Sequence, residues 1–230
     1  MLHLGLALTA FLILHLIPVI PGLRENLVRR IGRTGYLVAH SVISTAALVW
    51  VIAATLAAPT IVLWPVAGWQ AWVTVILTPL ALFLVIAGLL CPNPLSLSLR
   101  PGTADAQSGV VRITRHPVFW GALIWALSHI PPNGDLRSVL LFGSMAALAA
   151  AGFRLGDRRA RRKLGERWIE LAAATSIIPF RAIAQGRTRV RIDAPIVAAA
   201  LLTALLTAWL LLAGGHVALF GVDPLMATSY

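Results

Sequence analysis

Residues 69–90 read WQAWVTVILTPLALFLVIAGLL, twenty-two consecutive positions without a charge. That length and composition match the ~20 apolar residues a helix needs to cross a bilayer. In hydrocarbon the backbone must satisfy its own hydrogen bonds, so the stretch is predicted to be α-helical despite Pro79. Working outward, further apolar runs occupy 2–20, 36–58, 117–130, 136–153 and 195–220. The run at 117–130, fourteen residues, is short for a span and is expected to start deep or to thin the bilayer. The predicted architecture is all-α: a polytopic integral membrane protein whose six-helix transmembrane bundle forms one domain over 1–230, with 195–220 as the last span.

Composition agrees with a lipid solvent. Hydrophobic residues make up 59% of the chain, charged residues 12%, and the mean hydropathy is +0.86. A water-soluble globular domain would expose too much apolar surface at that composition. The net charge of +11 is carried between the apolar runs and not on a soluble face. Its expected partners are therefore anionic membrane lipids, not nucleic acid. The single cysteine, Cys91, excludes an internal disulfide and any multi-cysteine metal site. The run at 2–20 lacks a preceding basic stretch and a small-x-small cleavage pattern, so it reads as a retained helix.

Charge alternates along the connections. Residues 21–35 carry Arg24, Arg29, Arg30 and Arg33 against Glu25, and 59–68 carry no charge. The third connection holds Arg100, Arg112 and Arg115 against Asp105, and the turn 131–135 has no basic residue. Residues 154–191 hold eleven arginines and lysines against three acids. By the positive-inside rule, connections one, three and five face the inside of the membrane and both termini face the outside. Within 154–191 the segment from Asp157 to Trp168, leading into Ile169, Leu171 and Ala172, is expected to form an amphipathic interfacial helix. Its acids Asp157, Glu166 and Glu170 are the carboxylates available to Arg112 and Arg115.

Polar side chains in hydrocarbon are costly and normally face the bundle interior. Candidates are His15 on the first helix, His40 opening the second with Ser44 one turn on, and the stripe Gln70, Thr74, Thr78. Trp125 and His129 stand one turn apart on the fourth. Thr203 and Thr207 are expected to bond their own backbone, and His3 and His216 to meet water. Serine and threonine stripes suit interhelical hydrogen bonds. Histidine differs, because an imidazole needs partners for both nitrogens, so His15 and His129 are candidates for metal or haem ligation. Two such histidines, no carboxylate cluster and no spare thiol disfavour catalytic zinc or di-iron and leave a bis-histidine haem b. Trp125 and Phe11 are candidate walls for the macrocycle, and Arg24 and Arg115 candidate propionate partners. No Ser-His-Asp arrangement, Gly-rich phosphate loop or CxxCH attachment stands out.

Four blocks then carry a resemblance: LHLIPVIPGLRENLVRRIGRTGY (14–36), CPNPLSLS (91–98), GVVRITRHPVFWGALIWALSH (109–129) and GDRRARRKLGERWIELAAATSIIPF (156–180). In this order they resemble the NnrU family, bacterial membrane proteins associated with denitrification and related to the 15-cis-ζ-carotene isomerases. The resemblance covers about 10–185. It implies a polytopic membrane protein and, in the isomerase branch, a haem b whose redox state gates isomerisation of a polyene. The implied ligands fall on His15 and on His129 of the Trp125–His129 segment. His40 and His116 are alternates, and Arg112 and Arg115 are headgroup or propionate partners. The isomerase branch has a cysteine after the tryptophan; here that position is Ala126.

The function expected is a haem-bearing redox or nitric-oxide-responsive component supporting denitrification. The first alternative is a haem-dependent carotenoid cis–trans isomerase. The second is an S-adenosylmethionine-dependent membrane methyltransferase, because Arg115-His116-Pro117 with Gly121, followed by Asp157, Gly165 and Pro179, resembles the order in those enzymes. There Phe119-Trp120 and Asp157-Arg158 depart from the pattern.

Overall fold

A computed structural model describes residues 1–20, 22–100 and 109–229. Its helices are α1 (Leu2–Leu16), α2 (Leu23–Ala57), α3 (Gly68–Leu90), α4 (Gly109–Ile113), α5 (Pro117–His129), α6 (Leu136–Leu164), α7 (Arg167–Ala173), α8 (Arg181–Ala184), α9 (Ala194–Leu212) and α10 (Gly215–Phe220). An isolated bridge joins Val62 to Asp135. Asp105, counted above with the third connection, lies outside the described residues. The chain forms two compact units, Met1–Pro65 with Asn133–Ser144, and Val66–Pro132 with Met145–Tyr230.

Among the described residues four helices, not six, are long and apolar enough to cross a membrane: α2, α3, α6 and α9. The expected first span ends as α-helix at Leu16 and tightens into a 3-10 turn over Ile17–Val19, because Pro18 has no N–H with which to continue the ladder. The resulting 15-residue α1 is about 22 Å long, against ~30 Å of hydrocarbon. The 13-residue α5 is shorter still; Pro117 presets its first turn, and Pro131 and Pro132 follow its end. The run 195–220 divides at Gly214, whose φ of 72° starts α10.

In the first unit α1 buries Leu4, Ala7, Leu8 and Phe11, the i, i+3, i+4, i+7 face of a helix, in its pairing with α2. The two run antiparallel. Trp50 Nε1 donates to His3 Nε2 at 2.7 Å near one end, and the His15 and His40 rings lie 6.3 Å apart near the other. His3 is thus hydrogen-bonded to protein, where water was expected. The arginines expected in the first connection lie on α2, which begins at Leu23 and is interrupted at Gly32 (φ 74°, ψ 165°). Hydropathy marks where hydrocarbon ends, whereas a helix rich in Leu, Arg and Glu continues into water. His40 accordingly sits inside α2 and does not open it. Elsewhere in the unit, Leu63 and Trp64 N–H groups donate to Gly134 O, and Leu136 N–H donates to Ile61 O. Asp135 caps α6 by accepting from Ser138 N at 2.9 Å.

The second unit is built on α3, α5 and α9. Gly88 lets Pro117 and Val118 approach α3, and Gly121 lets α5 approach Ala81 and Val85. Thr74 Oγ1 donates to Ser128 O at 2.5 Å. These contacts align α5 antiparallel to α3 from Gly88 to Thr74, so the short helix covers most of α3's length. The core beside them is Leu84, Ala87, Cys91, Val110, Val111 and Ala199. Of the polar stripe on α3, Gln70 Oε1 accepts from Ala67 N at 2.9 Å and closes the helix start, while the Thr78 hydroxyl has no partner. The Thr203 and Thr207 hydroxyls on α9 also lack partners, where bonds to their own backbone were expected. Threonine has two accessible helix rotamers, and one of them turns the hydroxyl away from the preceding turn. Residues 154–164 extend α6 as helix, and Gly165 (φ 58°) separates them from α7. The expected interfacial helix through Trp168 is therefore broken there, because the left-handed backbone a glycine permits ends a helix.

Candidate functional site

The TRHP stretch connects α4 to α5. His116 has non-helical backbone (φ −124°, ψ 63°) as the residue before α5, consistent with the bias of Pro117 against helical geometry there. This turns the Arg115 and His116 side chains into the second unit, where Arg115 is buried and His116 has no exposed surface. Their partner is Asp157, one residue past Gly156 on the basic extension of α6. Arg115 Nη1 donates to Asp157 Oδ2 at 2.7 Å, and His116 Nε2 donates to Asp157 Oδ1 at 3.0 Å. His116 Nδ1 lies 2.8 Å from Ser96 Oγ. Arg115 also donates through Nε to Thr175 Oγ1 at 3.0 Å and through Nη2 to Ala172 O at 2.9 Å. Its guanidinium lies 5.6 Å from the Trp168 ring centroid, while Arg161 stands 5.5 Å from the same ring.

Backbone groups complete the assembly. Asn93 Nδ2 donates to Arg115 O at 3.0 Å and its Oδ1 accepts from Leu95 N, so the CPNPLSLS loop wraps the motif. A Cβ at Gly156 would stand 3.0 Å from His116 Cε1, so that glycine allows α6 to pass against the imidazole. The fold thus joins Ser96, His116 and Asp157 in one hydrogen-bonded series, although no such arrangement stands out in the sequence. Asp157 also neutralises Arg115, so the network is closed on itself and ties three chain segments together.

Asp157 lies beyond the apolar stretch 136–153. Burial alone would raise its pKa, but hydrogen bonds from His116 and Arg115, with the Arg115 charge, outweigh that and hold the carboxyl below its ordinary value. A depressed carboxylate contributes stability above its unfolded pKa, about 3.9, and loses it as pH falls through the lower folded value. The stability difference between wild type and Asp157→Asn is therefore expected to be constant above about pH 5 and to shrink as pH falls below 4. Thermal unfolding of detergent-solubilised protein across that range measures it. A difference that grew on acidification would contradict the assignment.

The other predicted residues fall in two places. In the first unit, His15 Nδ1 donates to Phe11 O at 2.9 Å and the His15 ring packs 4.2 Å from the Phe11 ring. His40 stacks on Tyr36 at 5.7 Å, and the Arg24 guanidinium lies 5.7 Å from the Tyr36 centroid. Tyr36 is buried with its hydroxyl unpartnered. In the second unit, His129 Nδ1 donates to Trp125 O at 2.7 Å, and the two rings are 5.1 Å apart. Phe11–His15 and Trp125–His129 thus use one local device: an aromatic residue one turn back offers its carbonyl to Nδ1 and its ring to the imidazole. The bond fixes the tautomer, so Nε2 carries the lone pair, the state a metal-bound imidazole requires. Both rings are half-buried, and the donor chemistry fits a haem ligand. Arg112 on α4 has a buried Nε without a partner. Ala126, where the isomerase branch has cysteine, is fully buried. Among the described residues no group of three or more His, Cys, Asp or Glu could hold a metal ion.

Sequence reading missed Ser96, Asn93 and Thr175. The signals present were Asn93 between two prolines and the Thr175-Ser176 pair inside an apolar stretch.

The chain is 36% identical over 81 residues to 15-cis-zeta-carotene isomerase, chloroplastic, of Arabidopsis thaliana, covering 35% of this chain and 22% of the relative. It is 36% identical over 87 residues to the protein of the same description in Zea mays, covering 38% and 24%. The matches therefore span about a quarter of the length of these relatives. No solved structure matches significantly. The family described as NnrU protein matches residues 3–224, nearly the whole chain, and the protein belongs to that family.

Proposed function

We propose that this NnrU-family chain is a membrane protein that binds haem b through histidine and acts in cis–trans isomerisation of a polyene. The observation that carries the haem reading is the device repeated at His15 and His129, each with Nδ1 held by the carbonyl of an aromatic residue one turn back. The relatives' description as zeta-carotene isomerases supports the activity. Bound haem would supply an iron whose ligation depends on redox state. The chain's own part is to fix the imidazole tautomers and surround them with apolar helix, which excludes water and admits a hydrophobic substrate.

Ala126 favours a second reading, a redox or nitric-oxide-responsive component supporting denitrification, because a thiol ligand switch is absent at that position. In either case the arginine-rich segments are assigned to the cytoplasmic face of a bacterial inner membrane and both termini to the periplasm.

An absorption spectrum of the purified protein, oxidised and reduced, tests the haem reading. A Soret band is expected in wild type and should be lost or strongly shifted in His15→Ala and in His129→Ala, with His40→Ala as the comparison from the same unit as His15. A band unchanged in both variants overturns the ligand assignment. Conversion of tri-cis-ζ-carotene by the reduced, haem-loaded protein supports isomerisation; haem binding without conversion supports the redox reading.

A further inference from the structure

Between α7 and α9 the chain runs as a strap whose composition differs from its surroundings. Residues 174–193 contain Arg181, Arg187, Arg189 and Arg191 against one acid, Asp193. Ala182 is buried, but four larger apolar side chains are exposed: Ile178 is 51% exposed, Phe180 59%, Val190 56% and Ile192 74%. Phe180 has φ 62°, the one positive φ outside glycine among the described residues. A bulky residue in the left-handed region persists only where its surroundings impose it.

Those surroundings are the TRHP motif. Arg115 N–H donates to Ser176 O at 2.7 Å, Thr114 Oγ1 to Ile177 O at 2.8 Å and Trp120 Nε1 to Ile177 O at 2.8 Å. Phe180 N–H donates to Ile113 O at 2.9 Å. On the far side Arg187 Nη1 donates to Ala173 O at 2.5 Å and to Thr175 O at 2.9 Å. The strap is thus held at both ends, and the Ser176–Phe180 turn presents Ile178 and Phe180 from a fixed backbone. It then leads through Asp193, which caps α9 by accepting from Ile196 N, into a helix long and apolar enough to span. That continuity puts Val190 and Ile192 at the level where hydrocarbon meets water.

We propose that this strap is a docking platform for the anionic leaflet of the bilayer. Ile178 and Phe180 insert among the headgroups, and Arg181, Arg189 and Arg191 pair with lipid phosphates. Each half of the pattern explains the other. Exposed Ile and Phe are unfavourable in water but suited to the interface, and the nearby acid, Asp193, is taken up by the Gly109 and Ile196 N–H groups, so the arginines suit anions that the interface supplies. The Arg115–His116–Asp157 network then gains a role, since it anchors the backbone that displays the platform. This inference is independent of haem.

The test uses the full chain in nanodiscs of phosphatidylcholine, with or without phosphatidylglycerol, carrying a nitroxide on Ile178→Cys. Cys91 is buried, so labelling at 178 is selective. In phosphatidylglycerol discs the label is expected to collide more with oxygen than with a water-soluble nickel chelate. Replacing Arg181, Arg189 and Arg191 with Gln should reverse that, and the phosphatidylglycerol retained over phosphatidylcholine, counted by native mass spectrometry, should fall roughly fivefold per arginine. Phe180→Gly removes the aromatic ring while relaxing the backbone, so it should stay folded and seat the label less deeply. Free access of the nickel chelate in both bilayers overturns insertion. Equal seating in both, or an unchanged lipid ratio in the triple variant, overturns the anionic preference.

Discussion

Replacing Asp157 with Ala is expected to cost about 3 kcal/mol, the lower end of the range for a broken buried pair, because Arg115 is buried but Asp157 is partly exposed. Arg115 would keep its bonds to Thr175 and Ala172 but lose its bond to the Asp157 carboxylate. His116, without exposed surface, would lose the acceptor at Nε2. Asp157→Asn keeps an acceptor oxygen while removing the charge, and its loss should be smaller. Thermal unfolding of the detergent-solubilised protein ranks the two. The loss should spread beyond the site, because the same segments clamp the turn at Ser176–Phe180. If Asp157→Ala unfolded with wild-type stability, the network could not be what ties α6 to the TRHP motif.

The second large effect is expected at Gly121, where α5 touches α3. A Cβ there would lie 2.5 Å from Ala81 O, 2.7 Å from Val85 Cγ2 and 3.0 Å from Val85 N. Two of those atoms are backbone and cannot rotate aside, so the helices must separate. Close approach through small residues is the main source of helix association in lipid, where no hydrophobic force drives it. Gly121→Ala is expected near the upper end of the ~1–3 kcal/mol range for overpacking, and Gly121→Val beyond it. Separation would also stretch the Thr74–Ser128 bond and shift His129, the next residue. Gly143→Ala on α6 is the control. Nothing lies within 4 Å of a Cβ there, and alanine favours helix over glycine by roughly 0.5–1 kcal/mol. Equal melting behaviour of Gly121→Val and Gly143→Ala would refute the close packing.

Particular elements show how far sequence carries. The uncharged run 69–90 became α3 within a residue of its expected limits. The run at 117–130 also became a helix within a residue of its expected limits, whereas the run at 2–20 is α-helical only to Leu16, beside Pro18. The arginines after Pro21 and after Phe153 turned out helical. Charge reports the position of the membrane surface, whereas backbone conformation there follows local propensity and the glycines at 32 and 165.

The candidate residues divide in the same way. His15 and His129 each stand in an apolar run, and the bond from Nδ1 to the carbonyl four positions earlier is local. Arg115 and His116 looked like groups at a membrane surface, since charge beside proline at the head of an apolar run usually means that. Folding instead buried them against Asp157, 41 or 42 positions away, and against Ser96 and Thr175.

By itself, then, the sequence determined solvent and class: a helical membrane protein with histidines in its apolar runs. Transfer of apolar side chains into lipid sums over residues and needs no knowledge of neighbours. Only the tertiary structure decided that TRHP is an internal clamp. A buried arginine and imidazole are stable only with a carboxylate at hydrogen-bonding distance, and that distance is set by how α5, α6 and α7 pack.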